Sequence, residues 1–319
     1  MRNLNKITRR NAMTSLAGIG GALAVGVQAS KANDDHQSED RYIVDAHSHI
    51  WTRDVEKFPL AKGVTVDDLS PPSFTTEELL EVSGKENVRR VVLIAHNPFY
   101  GFDNTYMIDA VRRYPGKFAI VGAVDDSGPH PDRKMKELLK QGVTGFRIVP
   151  GPPGQKWLDR PGMKMMWRTA AQTQQAICCL IDSEYVVDVN RMCRKFPETR
   201  VVIDHFARIG IDGTIGEKDL KDLTDLAQCR NTFVKISAYY ALGKKLPPYD
   251  DLVPMIQRLY EAFGAQRLMW ASDAPYQMTG ENTYGTSLSL VRDRIDFVTD
   301  NEREWLLRKT AEKVFFEIS

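Results

Sequence analysis

Two imidazoles stand two positions apart in the stretch "YIVDAHSHIW", residues 42–51, at the end of an apolar run. Side chains at i and i+2 of a strand point the same way, so Asp45, His47 and His49 are expected to share one face. Two more of the six histidines, His96 and His205, fall in the apolar runs "RRVVLIAH" and "RVVIDHFA". Asp273 stands in the last such run, "RLMWASDAP". His47, His49, His205 and Asp273 together make a donor set suited to one divalent ion, zinc first and manganese second. An ion held there would polarise a carbonyl or bring bound water towards deprotonation at neutral pH. Asp273 would then take the proton from the attacking water. None of this chemistry is available unless three distant segments converge.

The scaffold that could converge them is visible in the rhythm of the chain. Apolar runs open with "YIVDAHSHI" and continue through "RRVVLIAH", "KFAIVGAV", "VTGFRIV", "AICCLID", "RVVIDHFA", "TFVKIS" and "RLMWASDAP". They recur roughly every 25 to 45 residues, the spacing of βα units. Helical periodicity fills most gaps, as in "TYMIDAVRRYP", "DRKMKELLKQG", "YVVDVNRMCRKFP" and "YDDLVPMIQRLYEAFG", and "NEREWLLRKTAEKVFFEI" closes the chain as one more helix. Strands alternating with helices form a parallel sheet, and eight of them close a (β/α)8 barrel. A doubly wound open sheet is disfavoured because no G-x-G-x-x-G turn follows the first strand.

A barrel carries its chemistry at the C-terminal ends of its strands, and the polar residues are placed accordingly. His47 and His49 end the first strand, His96 the second, Asp125 and Asp126 the third, and Arg147 lies on the fourth. Asp182, then His205 with Arg208, then Lys235 with Ser237, Tyr239 and Tyr240, and finally Asp273 complete the ring. By alternation Val201, Ile203 and His205 share a face, as do Gly145 with Arg147 and Met269 with Ala271 and Asp273. Burying a charge against the helix layer is costly, so His205, Arg147 and Asp273 are expected to point inward. Trp51, Phe99, Tyr100, Trp157 and Tyr239 are candidate pocket aromatics. The segments 51–74 and 150–167 are candidate covers of the mouth.

Composition narrows the partners. Lys plus Arg (43) almost cancels Asp plus Glu (42), so no basic stripe points to nucleic acid, and a small-molecule substrate is expected. Residues 1–32 have the layout of an export signal: a basic start, a Gly- and Ala-rich run and small residues suited to cleavage. Arg9 and Arg10 give it a twin-arginine character, which implies passage through that translocase and a periplasmic destination. Residues 33–41 form a polar linker, and 42–319 form the barrel domain. The four cysteines, Cys178, Cys179, Cys193 and Cys229, lack C-x-x-C spacing and are read as small apolar groups.

The ordered set "VDAHSHIW", "GFRIV", "VVIDHFAR", "VKIS" and "WASDAPY" resembles the amidohydrolase superfamily. It is most similar to the amidohydrolase-related branch that includes 2-pyrone-4,6-dicarboxylate lactonase and the sugar-acid lactonases. The resemblance implies that His47 and His49 are the first-strand pair, His205 the sixth-strand histidine and Asp273 the eighth-strand aspartate. It implies opening of a lactone or similar cyclic ester, with Arg147 and Arg208 available for a substrate carboxylate and His96 for a further polar contact. Two departures matter. The fifth run has no histidine and the fourth offers Arg147 where many relatives have lysine or glutamate, so a bridged two-metal centre is not expected. The branch also includes members that work without metal. Two alternatives differ in class: a non-oxidative decarboxylase, which generally uses the missing fifth-strand histidine, and an exported ligand-binding protein without catalysis.

Overall fold

The computed structural model describes residues 42–152 and 155–317. The expected export signal and linker, residues 1–41, lie outside the described residues. Eight strands were expected and eight are present among the described residues: β1 (Ile43–Ser48), β2 (Val88–Ile94), β3 (Phe118–Gly122), β4 (Val143–Ile148), β5 (Ala176–Cys179), β6 (Val201–Ile203), β7 (Thr232–Ile236) and β8 (Leu268–Trp270). All pair in parallel, in sequence order. The ring is joined at the mouth by a parallel bridge between Ser48 and Ala274, with His49 N–H donating to Ala274 O (2.8 Å) and Asp273 N–H to His47 O (2.8 Å). Among the described residues, seven helices of nine residues or more fill the connections: α1 (Thr76–Gly84), α2 (Thr105–Arg113), α3 (Pro131–Leu139), α4 (Pro161–Thr173), α5 (Val186–Lys195), α6 (Glu217–Asp225) and α7 (Val253–Phe263). This is a (β/α)8 barrel.

The strands are short and rich in β-branched residues because both faces are buried, as a parallel sheet under helices requires. Val44 and Ala46, Val92 and Ile94, Ala119 and Val121, Ala176 and Cys178, Val202, Phe233, Met269 and Ala271 fill the interior. The residues between them, such as Leu93, Ile120, Phe146, Ile177, Ile203 and Trp270, pack against the helices. α1 begins cleanly because Thr75 and Glu78 cap each other's backbone N–H groups. Cys178, Cys179 and Cys193 are buried and Cys229 half-buried, all as free thiols.

Three departures from the expected pattern bear on function. The closing segment 300–316 is helical, but two wide π-type turns, Trp305–Lys309 and Glu312–Phe316, interrupt it. They bring Val314 and Phe315 beneath the barrel interior. Much of segment 150–167, expected over the mouth, forms a short 3-10 turn (Trp157–Asp159) and the start of α4. Finally, Val201 and Ile203 face the helices while Val202 faces inward, so the alternation assumed for β6 is inverted.

Candidate active site

β1 is not regular to its end. Its register with β2 shifts between Asp45 and Ser48, so Asp45 and His47 do not share a face as alternation suggested. Asp45 is fully buried and accepts from His47 N (3.0 Å), Ser272 N (2.8 Å), Ser272 Oγ (2.6 Å) and Tyr284 Oη (2.7 Å). Burial lifts its carboxyl to about 6, against the pull of those four bonds. It ties β1 to the segment that carries Asp273, while His47 turns into the barrel.

His205 reaches the mouth by a different device. It lies beyond β6 and opens a turn in which His205, Phe206, Ala207 and Arg208 all have φ between 52° and 55°. Left-handed backbone costs a non-glycine residue roughly 1–2 kcal/mol. Part of that is offset by complete burial of Phe206, worth roughly 1.5–3 kcal/mol. The turn swings the imidazole back inward despite the inverted strand parity, and Ser237 Oγ fixes its Nδ1 at 2.8 Å. Asp273 is also left-handed, at φ 59°. Strain of this kind collects where structure over-determines a functional position.

These devices bring four groups to one point. Asp273 Oδ1 lies 3.4 Å from His47 Nε2, 3.5 Å from His49 Nε2 and 3.8 Å from His205 Nε2. These separations exceed hydrogen-bonding distance. They approach the edge, about 3.3 Å, of a tetrahedron of ligands each about 2.0 Å from a central ion. The second Asp273 oxygen accepts from Tyr240 Oη at 2.9 Å. His49 Nδ1 is oriented by Ile94 O (2.9 Å), leaving Nε2 for the shared point. Burial depresses all three imidazoles: His49 to about 3, helped by Arg147, His47 well below its usual value, helped by Lys235 and His205, and His205 in the same direction. They are therefore neutral at neutral pH, the form with a lone pair to give. The donor chemistry fits one divalent ion at His47, His49, His205 and Asp273, and His47, His49 and Asp273 satisfy the spacing of such a group. One contact competes with it. Arg147 Nη2 lies 3.0 Å from His47 Nε2 and takes up the same lone pair.

Below this point lies a charged layer that the strand-end reading only half found. Lys235 and Asp204 are fully buried, 3.1 Å apart. Lys235 Nζ also lies 3.2 Å from His47 Nδ1, and Arg147 Nη2 3.7 Å from Asp204. Burial alone would raise Asp204, but Lys235, His47 and Arg147 outweigh it and hold the carboxyl well below its usual range. Asp204 stood inside the quoted "VVIDHFAR" and Lys235 inside "TFVKIS". The available signal was a charge alternating with an apolar residue, Val202 then Asp204 and Phe233 then Lys235.

The mouth cavity, about 220 Å³, is lined by His49, His96, Arg147, His205, Arg208 and Asp273 together with Tyr240, Tyr276 and an apolar wall. Arg208 pairs with Asp182 (3.1 Å) at the half-exposed rim. His96 Nε2 is 2.6 Å from Tyr276 Oη, and burial pulls its imidazole down to about 2. None of the five expected wall aromatics lines this cavity, and Phe99, Tyr100 and Trp157 are buried in the core. Tyr239 is wholly buried against Phe206 and Tyr249, its hydroxyl donating to Ile236 O (2.9 Å), and its neighbour Tyr240 lines the cavity instead. The left-handed Ala238 shifts the phase of that turn. Trp51 is also buried, donating to Pro71 O (2.8 Å) and backing His96 with its ring 5.2 Å away.

A cluster of His and Asp at the mouth of a (β/α)8 barrel is the layout of the amidohydrolases. The family model "Amidohydrolase" matches residues 44–316, and the chain belongs to that family. It is 27% identical over 236 residues to a 4-sulfomuconolactone hydrolase of Rhizobium radiobacter, covering 73% of this chain and 75% of that one. It is 27% identical over 242 residues to an L-fucono-1,5-lactonase of Burkholderia ambifaria, covering 73% and 80%. Two solved structures superpose with TM-score 0.71 at 20% identity, over 86% of this chain and 99% of each: a probable 2-pyrone-4,6-dicarboxylic acid hydrolase from Acinetobacter baumannii with citric acid bound, and a Burkholderia multivorans amidohydrolase with bound zinc.

Proposed function

We propose that this chain is a lactonase: it opens a cyclic ester by adding water to the acyl carbon. The observation that carries the reading is the meeting of Asp273 Oδ1 with three neutral imidazoles at the floor of the mouth cavity. Asp273 accepts the proton of the attacking water as its oxygen bonds to the carbonyl carbon. It returns that proton to the ring oxygen as the C–O bond breaks, giving one hydroxy acid. Tyr240 holds the far oxygen of Asp273 and so fixes which lone pair faces the water. Arg147 places positive charge beside His47, where the carbonyl oxygen gains negative charge. Arg208 at the rim is suited to a substrate carboxylate.

His47, His49, His205 and Asp273 would hold one divalent ion, zinc before manganese, a choice supported by the zinc-bound neighbour. Bound there, it supplies Lewis-acid polarisation of the carbonyl and activation of water. Lactone names among the relatives support the substrate class, and a decarboxylase is the weaker reading because β5 leads through Leu180 and Ile181 to Asp182 with no histidine. Acid release from a lactone panel, with chelator and with added zinc or manganese, tests the proposal. Ring opening of at least one lactone is expected, and failure on all of them with metal restored contradicts it. The twin-arginine-like start supports action outside the cytoplasm, which cell fractionation checks: full-length protein retained in the cytoplasm would refute export.

A further inference from the structure

Resting on the lactonase reading, we infer that the substrate is a compact lactone with an apolar, alkyl- or alkenyl-substituted body and one acidic group, not a polyhydroxylated sugar lactone. Recognition of several sugar hydroxyls needs acceptors and amides that can pair with them. Among the described residues lining the mouth cavity there is no Asn, Gln, Ser, Thr or Glu, and Asp273 is its one carboxylate. The hydroxyls present are already engaged: Tyr240 donates to Asp273 and Tyr276 bonds His96. What remains opposite the polar floor is a wall of Leu180, Ile211, Ala238 and Leu242. A hydroxyl turned towards that wall would lose its water and gain no partner. Arg208 at the rim shares its charge with Asp182 but stays half exposed, so its guanidinium suits one substrate anion. At about 220 Å³ the cavity is below the ~300–1,000 Å³ range of drug-sized sites, so the body must be small.

The test uses the full chain and two five-membered lactones, each bearing a carboxylate, one with alkyl or alkenyl substituents and one with hydroxyls in their place. Acid release gives kcat/KM for each. The alkyl-substituted lactone is expected to be preferred by at least ~100-fold, the scale on which an apolar pocket discriminates against added hydroxyls. Ile211 is half exposed, so Ile211→Ser should fold and lower that preference about tenfold. A hydroxylated lactone turned over within tenfold of its partner, or a preference unmoved by Ile211→Ser, overturns the inference while leaving the lactonase reading intact. Should neither ring open with zinc or manganese supplied, the wider lactone panel decides the lactonase reading, and calorimetric titration with the two ring-opened acids decides the inference alone. The alkyl acid must then bind at least tenfold tighter, and equal binding refutes it.

Discussion

The lower and upper halves of the barrel interior are built by opposite rules. Below, Val44, Val92, Ala119, Ala176, Val202 and Met269 alternate strictly with outward-facing residues and are closed from beneath by Val314 and Phe315. Above, the interior holds Asp204, Lys235, Arg147 and three histidines, and the backbone that presents His47, His205 and Asp273 breaks the strand pattern each time. The lower half is a dry packing problem solved by apolar volume. The upper half is an electrostatic problem in which Lys235 and Arg147 both lie within 4 Å of Asp204, while Asp273 faces three neutral imidazoles and the Tyr240 hydroxyl. Stability is therefore expected to reside mainly in the first and chemistry in the second, and substitutions should separate the two.

The largest effect is expected at Asp273. Asp273→Asn keeps size and removes the base, so kcat on an accepted lactone should fall by ~10³-fold or more with KM little changed. A variant retaining a tenth of the wild-type kcat would remove Asp273 from the chemistry. Next comes the ion pair on which the imidazoles rest. Lys235→Met leaves Asp204 buried without its nearest cation and should cost roughly 3–5 kcal/mol of unfolding free energy by denaturant titration. A loss below ~1 kcal/mol would mean that the pair does not support the upper layer.

The third prediction concerns acid. Burial depresses His49 to about 3 and His96 to about 2, so each contributes stability that is complete above the unfolded value, near 6.5, and lost as pH falls below it. Between pH 7.5 and 5 that loss is about 2 kcal/mol for each, with His47 and His205 adding in the same direction. Asp45 works oppositely: with its carboxyl raised to about 6, it penalises folding at higher pH and returns about 1 kcal/mol on acidification. The net expectation is a chain less stable at pH 5 than at pH 7.5 by at least ~3 kcal/mol, and a flat profile would contradict the neutral, desolvated state of the imidazoles. The smallest effect is expected at the rim. Arg208 is half exposed and shares its charge with Asp182, so Arg208→Ala should raise KM about tenfold for a carboxylated lactone and leave kcat nearly untouched.

The same contrast explains what could be read from the residues alone. The lower barrel was legible because alternation, helix periodicity and strand count all express one buried layer, and eight strands were found where eight were expected. The site was legible as a set, since His47, His49, His205 and Asp273 do converge, but not for the reasons alternation suggested. His205 arrives through four left-handed residues and His47 through a register shift, local events that an averaged period cannot encode. Tyr240 takes the place expected of Tyr239 for a similar reason, a one-residue phase change at Ala238. Lys235 is legible at a strand end but its pairing with Asp204 is not, because a buried ion pair shows itself only once strands distant in sequence are neighbours.

The central claim, that this mouth adds water to an acyl carbon, is tested most directly by turnover in ¹⁸O-labelled water. The account predicts one labelled oxygen per turnover in the newly formed carboxylate, none in the released alcohol, and no carbon dioxide. Release of carbon dioxide, or ring opening that leaves the new carboxylate unlabelled, would contradict it.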